Sequence, residues 1–240
     1  RRLDRLVREV KRVSPSTALR AKAVLATSTG EAEDAGLPSR RLRSTIKIKE
    51  PSRGRELGED ETAALARVCW SEAHSSEATA IRRSTALATL AILGTIARRQ
   101  EVERLLVRHI DWRHRAIVLP AELVKQGERV AIQFGGFVGE VLALALDAGR
   151  PAGSKPGFNE PVFLPIARSR RTGRPMSGGA VGAHRHALYR AAGLEDVKLT
   201  DLRRGGSNLL ARAGVPIPLV AALLQHKRPE AGDRHTAKYV

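Results

Sequence analysis

The sequence predicts an α+β protein that is mainly α, with helices gathered around one small sheet. Three observations carry that expectation. The chain is 42% hydrophobic but only 3% aromatic, so its core must be built from Leu, Val, Ile and Ala, which suits helices better than a β-sandwich. Apolar residues recur three and four apart over most of the chain, the period of a helix face. A single region, about residues 111–134, switches to strand-like alternation. At 240 residues, one large domain or one domain plus a fragment is expected, with enough chain for a real core.

In chain order, residues 1 to about 50 are Arg-rich and helical in character, with Leu3, Leu6 and Val7 on one face and Leu19, Val24 and Leu25 on another. Such a fragment buries little by itself. The run Lys49-Glu50-Pro51-Ser52-Arg53-Gly54-Arg55 has the Pro, Ser, Gly and positive charge of an exposed linker able to lie along a phosphate backbone, and a domain boundary is placed there. Asp60 to Trp70 sets Ala64, Leu65, Val68 and Cys69 at helical spacing, and Ile81 to Ile96 is a more uniformly apolar helix, expected at the centre. Glu101 to Val107 continues as helix, with Val102, Leu105 and Leu106 on one face.

At Asp111 the pattern changes. Ala116 to Pro120 reads as a short strand, and Arg129 to Phe134 alternates Val130, Ile132 and Phe134 against Arg129, Ala131 and Gln133, with Gln126-Gly127 as the intervening turn. Helical periodicity resumes at Phe137 to Ala148. A Gly/Pro-rich loop covers Gly149 to Pro161, and helices follow at about Gly179–Ala192, Leu202–Ala213 and Pro218–Gln225. Gly193 and Gly214 fit C-terminal caps.

Lys+Arg 42 against Asp+Glu 25 gives a net charge of +17, and the isoelectric point near 11.2 implies a polyanionic partner, nucleic acid ahead of an acidic membrane surface. No apolar run reaches the roughly 18 residues that span a bilayer, and no signal peptide is visible in the charged start. One cysteine, Cys69, can form neither an internal disulfide nor a zinc site, which fits a reducing cytoplasm. His109, His114, His184 and His186 have no carboxylate or cysteine at ligand spacing; no metal is expected, and these histidines read as surface or DNA-facing.

Five residues decide the functional reading: Arg98, Lys125, Arg203, His226 and Tyr239. Ile96-Ala97-Arg98-Arg99-Gln100-Glu101-Val102, leading to Asp111, is similar to a Gly-Leu-Arg-x-x-Glu-Leu pattern that runs into a sheet. Val124-Lys125-Gln126-Gly127-Glu128-Arg129 occupies the place of a Thr-Lys-Thr-Gly-Lys hairpin turn. Leu199-Thr200-Asp201-Leu202-Arg203 is similar to His-Asp-Leu-Arg, and Gly214-Val215-Pro216 with the run from Val220 to His226 is similar to Gly-x-Pro followed by Leu-Leu-Gly-His. Thr236-Ala237-Lys238-Tyr239-Val240 matches a nucleophile segment. In order and setting these segments resemble the tyrosine recombinase (phage integrase) family, over roughly residues 57–240 and weakly before.

The resemblance implies that residues 1–50 are the C-terminal part of a helical core-binding domain that clamps DNA, 51–56 a linker, and 57–240 a helical catalytic domain with a small antiparallel three-stranded sheet. It implies a site-specific recombinase or integrase that cleaves and rejoins double-stranded DNA through a 3′-phosphotyrosine, without metal, ATP or other cofactor. A bacterial cytoplasm or nucleoid is the implied setting. The assembly would be a tetramer on paired sites, with the chain monomeric in isolation.

The residue types suit that chemistry. A phosphodiester gains charge on its nonbridging oxygens as a nucleophile adds, and the permanently charged, bidentate guanidiniums of Arg98 and Arg203 would stabilise it. Tyr239 attacks poorly unless its phenolate is favoured, and Lys125 would protonate the departing 5′-hydroxyl. His226 would donate a hydrogen bond to the phosphate, and Glu101 would orient an arginine. Arg53, Arg55, Arg99, Arg204 and Lys227 are expected DNA contacts.

Two departures stand out. Thr200 occupies the usual His position and cannot act as an imidazole acid or base. Nine residues beyond His226, the commonest family spacing, lies His235, whereas Tyr239 lies thirteen beyond. A four-residue longer loop costs well below ~1 kcal/mol, so Tyr239 is preferred. The family also usually continues past this point with a short helix that docks on a neighbour.

Plainer readings stand beside these. Arg98 and Arg99 also fit a solvated helix end, Lys125 an exposed edge lysine, Arg203-Arg204 an ordinary backbone contact, and His226 a cation at a helix C-terminus. Tyr239 also fits a tyrosine packed in a surface groove, and Tyr189 sits on an expected core face. Two alternative functions remain: a recombinase-like DNA-binding protein whose strand-transfer chemistry is weakened or lost, and an RNA-directed basic protein that matches by chance.

Overall fold

The most apolar stretch of the sequence forms a helix at Ala80–Thr95 that is buried without a break from Ser84 to Ile92, as a helix lacking a polar face must be. Its hydroxyls are satisfied internally: Thr85 donates to the Ile81 carbonyl (2.7 Å), Thr89 to that of Thr85 (2.8 Å) and Thr95 to that of Ala91 (2.6 Å).

The computed structural model describes residues 2–13, 15–36, 55–125, 127–148, 150–151, 153–163 and 178–224. They form α1 (Arg2–Val13), α2 (Pro15–Asp34), α3 (Glu59–His74), α4 (Ala80–Thr95), α5 (Arg99–Glu103), β1 (Ile110–Asp111), β2 (Ala116–Leu119), β3 (Val130–Gln133), α6 (Gly136–Asp147), α7 (Gly178–Ala191), α8 (Leu199–Arg212) and α9 (Ile217–Leu223). The chain divides into two compact units, Arg1–Arg53 and Gly54–Val240.

In the first unit α1 packs on α2, burying Val7 and Ala18. Val24 departs from expectation: it is 62% exposed. Ala18 and Leu25, seven apart, share one face of α2, and Val24 is turned roughly 100° from Leu25.

In the second unit α3, α5, α6, α7 and α8 all pack on α4, which explains why α4 needs no polar side. The expected sheet is present, antiparallel in the order β1-β2-β3, with Ile110 opposite Ile117 and Leu119 opposite Val130. Ile117 and Leu119 of β2 and Ile132 of β3 join the core. Gly193 and Gly214 adopt left-handed φ of 71° and 83°. Each closes its helix in a Schellman motif, with Leu194 N–H donating to the Tyr189 carbonyl and Val215 N–H to that of Leu210. Among the described residues no helix is long and apolar enough to cross a membrane.

The helix expected over Glu101–Val107 ends at Glu103. Backbone pairing with a distant segment wins over helix propagation: Val107 and Arg108 N–H donate to the carbonyls of Glu160 and Phe158 (both 2.9 Å), and Val162 N–H donates to that of Leu105 (2.8 Å). Val102 and Leu105 are buried all the same. At the other end of the chain α8 starts three residues before the expected Leu202, which places Thr200 in its first turn.

His109, expected at the surface, is buried. The register that sets Ile110 opposite Ile117 carries it onto the outer face of the sheet beside Val118, beneath the segment around Phe158. Its Nδ1 accepts the Leu106 N–H at 3.1 Å, which requires a neutral ring. Burial, and then the neighbouring Arg108 charge, hold its pKa below the ordinary histidine value. A base with a depressed folded pKa binds protons more readily when unfolded, so its stabilising contribution is present above about pH 6.5 and is lost as pH falls below it. Thermal melts at pH 7 and pH 5 should therefore show a drop in Tm that is smaller in His109→Gln, which keeps an acceptor but cannot titrate; an equal drop in both proteins would exclude His109 as the source.

Candidate active site

The site begins where α4 ends. Ile96 closes that helix in the left-handed conformation, φ 48°, a rare state for a β-branched residue. It turns the chain into α5, whose N-cap is Arg98. Glu101, 1% exposed, then binds Arg98 twice: one carboxylate oxygen accepts the Arg98 backbone N–H at 2.7 Å and the other accepts Nη1 at 2.9 Å. A buried carboxylate needs such partners, and this one fixes both the backbone and the guanidinium of Arg98.

α8 repeats the device. Asp201, fully buried, accepts the Lys198 N–H at 2.9 Å and faces Arg204 Nη1 at 3.4 Å. Arg203 Nη2 donates to the carbonyl of Leu224, just past the end of α9. Two glycines let α8 sit close enough to face α5. A Cβ at Gly206 would lie 2.6 Å from Ile96 Cγ2, and one at Gly205 would lie 2.9 Å from Leu57 Cβ. The side chain of Ile96 also packs with Val220 and Leu224.

These elements enclose a cleft of about 640 Å³. Arg98, Thr200 and Arg203 line it, and the exposed Lys125 reaches it from the segment joining β2 to β3. Arg99, Glu101 and Arg204 also contribute. Six cationic side chains, with Arg104 the sixth, face two carboxylates, Glu101 and Glu122. Such a surplus favours an anion, and fixed guanidiniums suit a phosphate.

Arg55 lies elsewhere, exposed and paired with Glu61. Arg53, His226, Lys227, His235 and Tyr239 lie outside the described residues. Tyr189 is buried in the core, its phenol pushed well above the ordinary value by desolvation, so it is no candidate nucleophile. Among the described residues no group of three or more His, Cys, Asp or Glu side chains could hold a metal ion.

Asp201 and Arg104 were not singled out from sequence. Asp201 carried a usable signal, an acid three residues after the N-cap as in Arg98-x-x-Glu101. Arg104 carried none, because only the fold turns it toward the cleft. Arg185, nearly buried, donates to Glu103 at 2.8 Å, and Glu103 also lies 3.8 Å from Arg99, which ties α5 to α7.

The family model for the phage integrase family matches residues 56–240. The chain belongs to the phage integrase family. Its members, the tyrosine recombinases, cleave and rejoin DNA, and the chain is a site-specific recombinase of this class. No curated protein matches the chain significantly. Solved structures of similar fold include a lambda integrase dimer bound to a core site (TM-score 0.69, 17% identity, covering 99% of this chain and 77% of that one). The Tn1549 transposon integrase in complex with circular intermediate DNA is another (0.66, 16%, 98% and 78%). XerH recombinase bound to its difH substrate also matches (0.64, 16%, 94% and 62%). In this integrase, then, the cleft sits on a fold shared with recombinases.

The Ile96–Gly206 contact should be measurable. Gly206→Ala inserts a methyl against a buried side chain and should cost about 1–3 kcal/mol in denaturant unfolding. Ile96→Ala opens that space, so the double variant should lose less than the sum of the singles; strict additivity would mean the two residues do not set the α8 spacing.

Proposed function

We propose that the cleft holds the scissile phosphate of double-stranded DNA and that Tyr239 attacks it. The convergence of Arg98, Lys125, Thr200 and Arg203 in one cleft carries this reading. Arg98 and Arg203 bind the nonbridging oxygens and stabilise their growing charge. The Tyr239 phenol gives its proton to solvent as its oxygen forms a bond to phosphorus and the bond to the 5′-oxygen breaks, and Lys125 Nζ supplies the proton that the departing 5′-hydroxyl needs. Attack by another strand's 5′-hydroxyl reverses the step and restores the tyrosine, so rejoining needs neither ATP nor a metal.

The Arg203–Leu224 contact supports a place for His226 beside the phosphate, since Leu224 precedes His226 by two residues. Thr200 can donate a hydrogen bond to the phosphate but cannot cycle a proton at neutral pH. Residues 57–240 act as the catalytic domain and residues 1–50, beyond a linker at 51–56, as part of a DNA clamp. Arg53, Arg55, Arg99, Arg204 and Lys227 contact the DNA backbone. The assembly is a tetramer on paired sites, formed from monomers, in a bacterial cytoplasm.

A nicked suicide duplex incubated with wild type and Tyr239→Phe, then run on a denaturing gel, tests the chemistry. A covalent protein–DNA adduct is expected with wild type and not with the variant. An adduct that persists in Tyr239→Phe would move the nucleophile elsewhere, His235 being the rival position. Tight duplex binding without any adduct would favour the reading in which Thr200 marks a DNA-binding protein with weakened strand transfer.

A further inference from the structure

Beside the cleft lies a second groove of about 650 Å³. The two share a wall made by Arg104, Glu122 and Leu123, so a strand held in one can pass into the other around Arg104. The floor is the outer face of the sheet. Val118 points outward between the inward Ile117 and Leu119, and alternation puts Arg129 on that same face, two residues before Ala131, the partner of Val118. Arg108 and Phe158 form the far side. Phe158 is 71% exposed, more than any other large apolar side chain among the described residues.

The charges in this groove are available. The side chains of Arg104 and Arg129 make no hydrogen bond or ion pair among the described residues, while Arg108 gives one N–H to Asn159 Oδ1 at 2.8 Å and holds its Nε 3.5 Å from His109 Nε2, which leaves its other N–H donors for a ligand. Glu122, on the shared wall, is the only carboxylate in the lining. Guanidiniums with spare donors beside an exposed ring match a nucleotide, which presents phosphate oxygens to the cations and an apolar sugar or base edge to the ring. The wall shared with the phosphate-suited cleft favours a continuation of the same strand over an acidic protein segment.

We propose that the second groove holds the stretch of DNA strand adjoining the phosphate in the cleft, with Arg104, Arg108 and Arg129 on its backbone and Phe158 against a sugar or base. The inference rests on the recombinase reading of the cleft. It assigns the outer face of the sheet to substrate binding, away from the groups that carry out the chemistry.

Duplex binding measured over roughly 50–200 mM salt tests it, because each lost phosphate contact lowers the slope of log K against log salt by about 0.9. Arg108→Ala/Arg129→Ala should bind more weakly, with a slope shallower by roughly 1–2. Arg67→Ala/Arg190→Ala, which removes two exposed arginines outside both grooves, should keep the wild-type slope. Arg129→Ala alone breaks no described contact and guards against a folding defect. Phe158→Ala should weaken binding with the slope unchanged. Equal slopes for the groove variant and wild type would overturn the proposal, as would equal changes in the two double variants. Altered self-association with unchanged DNA binding would instead assign the groove to a protein partner. The suicide-duplex adduct is read separately: its absence in wild type strikes the reading of the cleft, while the salt slope still decides the groove.

Discussion

The site depends on one backbone turn. α4 is held on all sides, so its end is a fixed point in the molecule, and at that point Ile96 adopts a left-handed conformation that costs a β-branched residue roughly 1–2 kcal/mol. The same side chain is 3% exposed and packs with Val220 and Leu224, and burial of that size is worth about 1.5–3 kcal/mol. Packing therefore outweighs the strain. The related pattern Gly-Leu-Arg places glycine at this position, a residue that makes the turn without strain but gives α9 nothing to pack on. Here one residue both makes the turn and anchors the helix that leads to His226.

From that turn, electrostatics determines where the arginines point. A guanidinium on an exposed helix end would sample many rotamers, and ordering it on substrate would draw on binding energy. Glu101 removes that freedom by accepting from both the backbone and the side chain of Arg98. Asp201 anchors the first turn of α8 in the same manner. Both acids are almost wholly buried, so each needs its hydrogen bonds as much as the bonds need the acid. The cleft keeps its surplus of positive charge because these carboxylates are already engaged.

Local pattern made much of this legible in the sequence. The unbroken apolar run gave away α4, alternation from Arg129 to Phe134 gave β3, and the segments around Arg98, Lys125 and Arg203 each carried a recognisable setting. What the sequence hid was non-local. The helix expected beyond Glu103 was lost to pairing with residues 158–162, and His109 was buried by a register that no single segment reveals. Arg104 has no local mark at all; it matters only because the chain turns after α5 toward both grooves. Val24 belonged to an apolar stretch whose covered face depended on where α1 lies.

Thr200 bears on how the site divides its chemistry. It occupies the first turn of α8, exposed to the cleft, on a helix whose position is fixed by Asp201 and by the close approach at Gly206. A small hydroxyl there preserves hydrogen-bond donation to a phosphate oxygen but removes the one group at that position able to exchange a proton near neutral pH. In the proposed reaction charge stabilisation and proton transfer are thereby separated: the arginines would carry the first, and the second would fall to Lys125, on a segment outside the helical framework. The cleft therefore combines fixed cations carried on its helices with one more, Lys125, carried on the segment that joins β2 to β3.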